Sequence, residues 1–238
     1  AYDTKILMFS HGLQKGLSLR NPKTTFGFEA ASKLKKLVIK RESLFGSSWI
    51  SEMAKNVLSD LYLHNSGSTN SKIESKNSIR FISKDIDMNY EEFSKFVKSR
   101  HSIRQFSSKN VDINLLKDAI YLAQRAPSVC NRQCIRSIVV KKKEVINKLL
   151  ELQNGNKGFR DEINTLVIIT SDARGFYEIT ERNQPWIDGG LFSMLLSLGL
   201  LSKGVGSCML NWCVNPDKDT KIREILPIKK SEIIIMYM

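Results

Sequence analysis

The sequence contains no apolar segment long enough to cross a membrane. Its longest apolar stretch, residues 189–201, is interrupted by Ser and Gly, and a membrane-spanning helix needs ~20 residues. Asp3, Lys5 and His11 break up the first apolar stretch, so we expect no signal peptide. These absences predict a cytoplasmic protein that does not associate with membranes.

The four cysteines lack the spacing of a metal site. Three residues separate Cys130 from Cys134, four separate Cys208 from Cys213, and no histidine lies near either pair. We therefore expect no metal, and small buried thiols in a reducing compartment.

Common nucleotide-binding and hydrolytic motifs are also missing. The sequence has no Walker loop, no G-x-G-x-x-G after a strand, no Ser-His-Asp elbow and no paired-carboxylate pattern of a glycosidase. It therefore gives no support to the usual nucleotide-binding and hydrolase classes.

The charge is strongly positive, with 37 Lys and Arg against 24 Asp and Glu and a formal net charge of +13. Such a charge can indicate a nucleic-acid partner. The basic residues are spread along the chain, however, and the dense runs at 33–41 and 141–143 are typical of a solvated helix face and a strand end. We expect no specific nucleic-acid role.

Two segments differ in character. Residues 1–80 predict a helical extension, with amphipathic patterns at 26–41 and, behind a Ser N-cap, at 47–64. The Gly/Ser/Asn-rich stretch 65–78 predicts a linker.

Residues 81–238 alternate between helical and strand patterns. Helices are predicted at 89–100, at 112–126 (halted by Pro127), at 143–153, at 186–204 and at 217–226 (capped near Asp217); strands are predicted at 134–140, 165–171, 206–212 and 232–238. The continuous apolar run 165–171 indicates a central strand buried on both faces. Helices around a small sheet make an α+β or α/β-like fold.

The first polar cluster is RHSIRQF at 100–106. Arg100, Ser102 and Arg104 would face one side of an extended segment, where guanidinium and hydroxyl groups can bind a phosphate. His101 completes the cluster. A solvated basic turn is the alternative.

The second cluster is APSVCNRQC at 126–134. Pro127 stops the preceding helix, and Ser128, Asn131 and Gln133 could present hydroxyl and amide groups to a ligand. An ordinary polar turn is the alternative.

The third cluster is GVGSCMLNW at 204–212, which leads from an apolar helix into a strand. Its glycines permit close approach of the backbone to a ligand, or cap the helix at Gly204 and Gly206.

Three motifs in this order resemble the FMN-dependent nitroreductase family over residues 93–238. The stretch 11–27 is similar to the extension of a nitroreductase subgroup found in polysaccharide gene clusters. The resemblance implies a nitroreductase-type fold, with a small mixed or antiparallel central sheet flanked by helices, in an intertwined homodimer.

The resemblance also implies roles for individual residues. The FMN phosphate, ribityl chain and pyrimidine edge would be held by Arg100, His101, Ser102 and Arg104. The flavin of the partner subunit would be reached by Pro127, Ser128 and Asn131, with Gln133 supporting their loop. The backbone of Leu210 and Asn211 would lie against the flavin ring, near N5. Arg160 is a candidate for a further basic contact.

Family resemblance implies ping-pong hydride transfer from NAD(P)H through FMN to a small planar acceptor, such as a nitroaromatic or a quinone. Since the cofactor carries this chemistry, no catalytic side chain is expected. Segment 171–186 is a predicted substrate lid whose Phe176, Tyr177 and Trp186 could stack on the acceptor. Burial of these aromatics under a neighbouring subunit is the alternative.

One departure from the family pattern is the missing carboxyl-terminal arm, because the sequence stops at Met238. We therefore expect either that the chain is a fragment or variant that lacks the arm, or that another cation replaces the arm's contact. Two other functions stay open: different flavin chemistry on the same fold, and a flavin-free binding or regulatory protein.

Overall fold

The structure is a computed structural model that describes residues 2–19, 22–67 and 87–238. Most of the predicted linker at 65–78 lies outside the described residues. The chain divides into two compact units. The first comprises Ala1–Asp87 with Val129–Gln133, and the second Met88–Ser128 with Cys134–Met238.

The first unit consists of three helices among the described residues: α1 (Tyr2–Leu17), α2 (Phe28–Phe45) and α3 (Trp49–Asn65). The predicted Ser N-cap is Ser48. Its hydroxyl accepts from the Ser51 N–H (3.3 Å), and the Ser51 hydroxyl accepts from the Ser48 N–H (2.9 Å). This reciprocal pair satisfies two donors that a helix start leaves without partners.

The second unit is a four-stranded sheet with helices packed against it. Its elements are α4 (Tyr90–Lys98), α5 (Ile113–Ala123), β1 (Ile135–Val140), α6 (Lys143–Leu152), β2 (Leu166–Asp172), α7 (Gln184–Ser202), β3 (Leu210–Asn211), α8 (Pro216–Ile225) and β4 (Glu232–Tyr237). The strand order is β1-β2-β4-β3, and each neighbouring pair is antiparallel. The predicted α+β fold with a small sheet is confirmed.

The central strand was predicted correctly from its continuous apolar run. Six of the seven residues of β2 are buried, because β1 and β4 flank the strand and helices cover its faces. Helix α7 packs very closely on the sheet at Gly189, where a Cβ would lie 2.8 Å from Ile235 Cγ1.

Three predicted boundaries were wrong. The strand expected at 206–212 is confined to Leu210–Asn211. The helix expected at 217–226 begins at Pro216, whose fixed φ suits the first helical position, and Asn215 is its N-cap residue. Helix α5 ends at Ala123 rather than at Ala126. The N–H groups of Arg125 and Ala126 bond carbonyls three residues back, so the chain tightens before the proline.

The prediction that no segment is long and apolar enough to cross a membrane was wrong, because among the described residues the stretch Ile179–Ser202 meets both criteria. Half of its most apolar window is buried, and α7 packs against α5, β2 and β4. This burial is typical of a core helix.

The prediction of buried thiols is right for two of the four cysteines. Cys134 and Cys208 are buried, Cys130 is partly buried and Cys213 is exposed; all four are free. Cys213 follows the short edge strand β3, where the chain runs over the surface before α8.

Candidate functional site

The first and third polar clusters are adjacent in the structure. After α4 the chain becomes extended, and Ser102 forms a parallel bridge with Ser207. The Ile103 N–H donates to the Ser207 carbonyl (3.0 Å). The backbone around Ser207 therefore pairs with the RHSIRQF motif rather than with β4. This explains why the strand predicted at 206–212 is shorter than expected.

The two glycines of the third cluster have different roles. Gly204 adopts a φ of 71° and ends α7, with its N–H bonded to the Leu201 carbonyl and the Val205 N–H bonded to the Leu200 carbonyl (both 2.9 Å). This is a Schellman motif. A Cβ on Gly206 would lie 2.9 Å from Ile103 Cγ1, so this glycine lets the two motifs approach each other.

The junction of these motifs presents basic and hydroxyl groups to solvent. Arg100 is half-buried, whereas His101, Ser102 and Arg104 are exposed. Within residues 2–19, 22–67 and 87–238, no acidic side chain pairs with either guanidinium. The site thus has two positive charges that the described fold does not neutralise, and it is suited to an anion.

The end of the RHSIRQF motif is fixed to a segment that follows α6. The Phe106 N–H donates to Glu162 Oε2 (2.8 Å), and the Phe106 ring lies 6.3 Å from that of Phe159. Arg160 lies in this same segment and is exposed. Its Nε is 3.7 Å from Asp161 Oδ1, a loose surface pair that leaves the guanidinium accessible.

The loop of the second cluster has a strained backbone. Cys130, Asn131 and Gln133 have φ values of 48°, 52° and 49°, in the left-handed region that costs a non-glycine residue ~1–2 kcal/mol. The Gln133 amide donates to Asn131 Oδ1 (2.9 Å). Pro127, Asn131 and Gln133 are exposed, and Ser128 is partly buried.

This loop is divided between the two units, because Pro127, Ser128 and Cys134 belong to the second unit together with the other two clusters. Residues 129–133 belong to the first unit, where Arg132 Nη2 lies 3.6 Å from Met8 Sδ. Strained non-glycine residues are concentrated at functional sites in proteins, so the loop stays a candidate.

The short strand β3 forms one edge of the sheet. The Leu210 side chain is buried in the core, and the Asn211 side chain is exposed. The Asn211 carbonyl accepts from Gln153 Nε2 (2.9 Å). Gln153 is 5% exposed, and its Oε1 accepts from the Gly155 N–H (2.6 Å) and from Asn156 Nδ2 (3.0 Å).

Sequence reasoning missed Gln153, which fixes the orientation of the Asn211 peptide group. The signal in the sequence is slight, because a glutamine at a helix end is ordinarily solvated. The polar run QNGN at 153–156, placed directly after an apolar helix, is the pattern that could have indicated an anchored turn.

The predicted lid, residues 171–186, contains two short 3-10 turns, Ala173–Gly175 and Ile179–Glu181, before α7 begins. Burial opposes ionisation of Asp172, but hydrogen bonds from the Arg174 guanidinium (2.5 and 2.9 Å) outweigh it and hold the pKa of Asp172 below its ordinary value. This pair fixes the start of the segment.

The three aromatic residues of the predicted lid differ in exposure. Phe176 is partly buried, whereas Tyr177 and Trp186 are exposed. Trp186 lies in the first turn of α7, so α7 holds its backbone in place. The two exposed rings are accessible to a planar molecule or to another subunit.

Comparison with known proteins identifies the class of fold. A model of the nitroreductase family matches residues 97–156, which include the first two polar clusters. No curated protein gives a significant match to the chain.

Several solved structures resemble this one. A nitroreductase family protein from Clostridium novyi NT is 21% identical with a TM-score of 0.55, and the match covers 61% of this chain and 82% of that one. The nitroreductase family protein of Streptococcus pneumoniae TIGR4 is 22% identical with a TM-score of 0.54, and the match covers 61% of this chain and 87% of that one.

An FMN-dependent nitroreductase from Clostridium difficile R20291 is 25% identical with a TM-score of 0.51, and the match covers 60% of this chain and 82% of that one. The chain therefore has the nitroreductase fold. Its similarity to nitroreductase-family oxidoreductases is shown by both the family model and these structures.

Proposed function

We propose that this chain is an FMN-dependent oxidoreductase that takes hydride from NAD(P)H and delivers it to a small planar acceptor such as a nitroaromatic or a quinone. The observation that carries the proposal is the junction of Ser102 with Ser207, which presents Arg100 and Arg104 without acidic partners among the described residues. Bound FMN would supply the redox chemistry.

The residues at this junction fit the phosphate end of FMN. A phosphate carries negative charge and several acceptor oxygens, and a guanidinium can donate two hydrogen bonds to it. Arg100 and Arg104 would bind the phosphate and the pyrimidine edge, with the Ser102 hydroxyl and His101 beside them. Arg160, exposed on the neighbouring segment, would add a further positive charge.

The edge strand β3 would supply the contact to the flavin ring. Gln153 fixes the carbonyl of Asn211, and burial of Leu210 fixes the preceding residue. A backbone N–H of Leu210 or Asn211, held in place by these contacts, could donate a hydrogen bond to the flavin ring without reorganisation of the strand. The chain's own contribution is thus to bind and orient the cofactor, and to limit access through segment 171–186.

We propose that the chain forms a homodimer. Support comes from α7, where Ile187, Leu191 and Met194 are exposed at positions i, i+4 and i+7 and so lie on one face of the helix. Exposed apolar side chains that adjoin on a helix surface mark an interaction site more often than scattered ones do. In such a dimer Pro127, Ser128 and Asn131 would reach the flavin bound by the partner subunit.

Two matched variants test the proposed phosphate site at Arg100 and Arg104. Arg100→Ala removes a charge from the proposed phosphate site, whereas Lys142→Ala removes the same charge from an exposed position at the start of α6. Because a hydrogen bond to a charged group contributes ~1.5–3 kcal/mol, Arg100→Ala should raise the Kd for FMN by ~10–100-fold. Titration of the apoprotein by flavin fluorescence quenching measures both values. Equal affinities of the two variants for FMN would contradict the proposed phosphate site.

A further inference from the structure

A groove of about 660 Å³ runs between α2 and α3 on the surface of the first unit. Its apolar lining includes Phe28, Val38, Ile39, Leu58, Leu61 and Tyr62. Three of these side chains are large and strongly exposed, with Phe28 at 66%, Ile39 at 59% and Tyr62 at 73%. We call this feature the α2–α3 groove.

Folding of the three helices does not account for these exposed side chains. Leu34 and Val38 of α2 are buried in the core of the unit, together with Val57 and Leu61 of α3. Phe28 and Ile39 are eleven residues apart, about three helical turns, so they follow one side of α2 along the groove. A second apolar face on a surface helix is typical of a binding surface.

The charges beside the groove are not balanced. The acidic residues of α2 are both paired within the unit, Glu29 with Lys33 (2.6 Å) and Glu42 with Lys55 (2.8 Å). The further basic residues of α2 that have no ion pair among the described residues are Lys35, Lys36 and Lys40. All three are exposed, and Lys35 itself lines the groove.

This arrangement favours an acidic partner over a second copy of the chain. A second copy would bring the Lys35 of both chains to the interface, where neither acidic residue of α2 is free to pair with them. Like charges across an interface oppose association, whereas carboxylates would complement the lysines and speed encounter. The occupant is also expected to be helical, because an apolar groove between two helices accepts the apolar face of a third.

We propose that the α2–α3 groove binds an amphipathic helix of a partner protein, with an apolar stripe at i, i+4, i+7 and i+11 and with carboxylates on its α2 side. The groove extends from Phe28 to Glu42, about 21 Å at 1.5 Å per residue, so the partner helix needs roughly four turns. This interaction is independent of the flavin site, which lies in other residues.

Two labelled peptides of identical length and leucine stripe test the proposal on the full chain. One has Glu and the other Lys at its polar positions, and fluorescence anisotropy reports their binding. The Glu peptide should bind at least about tenfold more tightly, with an advantage that shrinks as salt rises. Ile39→Asp should weaken its binding at least about tenfold, and Lys35→Glu should weaken it severalfold.

Matched controls distinguish binding in the groove from non-specific electrostatic or hydrophobic binding elsewhere on the chain. Lys95→Glu makes the same charge change on α4, and Tyr121→Asp introduces an aspartate at an exposed aromatic of α5; both should leave peptide binding unchanged. The exposed position of Ile39 lets Ile39→Asp fold, which circular dichroism checks. Lys35→Glu, on the surface of the same helix, is the second variant.

Several outcomes would overturn the proposal. These are no binding of either peptide, equal binding of both, and undiminished binding by Ile39→Asp. A lower mass of Ile39→Asp than of the unmodified chain in analytical ultracentrifugation would identify a second copy as the occupant instead. Binding to vesicles of phosphatidylcholine and phosphatidylglycerol that Ile39→Asp abolishes would identify a lipid surface instead.

Discussion

Two adjacent glycines of α7 provide a direct test of how this helix packs on the sheet. A Cβ on Gly189 would lie 2.8 Å from both Cγ1 and Cγ2 of Ile235, atoms of a branched side chain held in β4. A Cβ on Gly190 would meet no atom within 4 Å. Substitution by alanine should therefore change the stability of the protein differently at these two neighbouring positions.

The magnitudes follow from two effects. Replacing a helical glycine by alanine stabilises by ~0.5–1 kcal/mol, and both variants gain this. In Gly189→Ala this gain is opposed by overpacking against Ile235, which lowers stability by ~1–3 kcal/mol because the contact forces the helix or β4 to shift. The difference between the two variants cancels the common helix effect and isolates the packing cost.

Urea unfolding of the flavin-free protein, followed by circular dichroism, measures both free energies. Gly190→Ala should raise the midpoint, and Gly189→Ala should be less stable than Gly190→Ala by ~1–3 kcal/mol. Equal stability of the two variants would refute the close packing of α7 on β4.

Two further substitutions test buried polar groups. Burial raises the pKa of Tyr237, and its hydroxyl has no hydrogen-bond partner among the described residues, so Tyr237→Phe should increase the free energy of unfolding by ~1 kcal/mol, whereas the exposed Tyr121→Phe should change nothing in the same urea assay. Gln153→Ala leaves the Asn211 carbonyl and the Gly155 N–H without their buried partner, so it should lower stability by ~1–3 kcal/mol. A Tyr237→Phe protein that is less stable, or a Gln153→Ala protein with unchanged stability, would contradict these assignments.

Local patterns in the sequence were sufficient to predict most elements. The apolar run at 165–171 predicted the buried central strand, and Ser48 predicted the start of α3, because apolar periodicity and capping depend on residues close in the chain. The order of the three motifs predicted the nitroreductase fold.

Contacts between distant residues could not be read from those patterns. Because Ser207 pairs with Ser102, the strand expected at 206–212 is shorter than predicted. A local sequence pattern does not indicate pairing with a residue about a hundred positions away. For the same reason, the sequence left open whether Gly206 caps a helix or allows a close approach, which the position of Ile103 decides.

The absorption spectrum of the purified protein, with any released pigment identified by mass, tests the central claim most directly. The account predicts a flavin spectrum and the mass of FMN, with bleaching of the flavin band when NADH or NADPH is added without oxygen. A colourless protein that also fails to bind added FMN would contradict it.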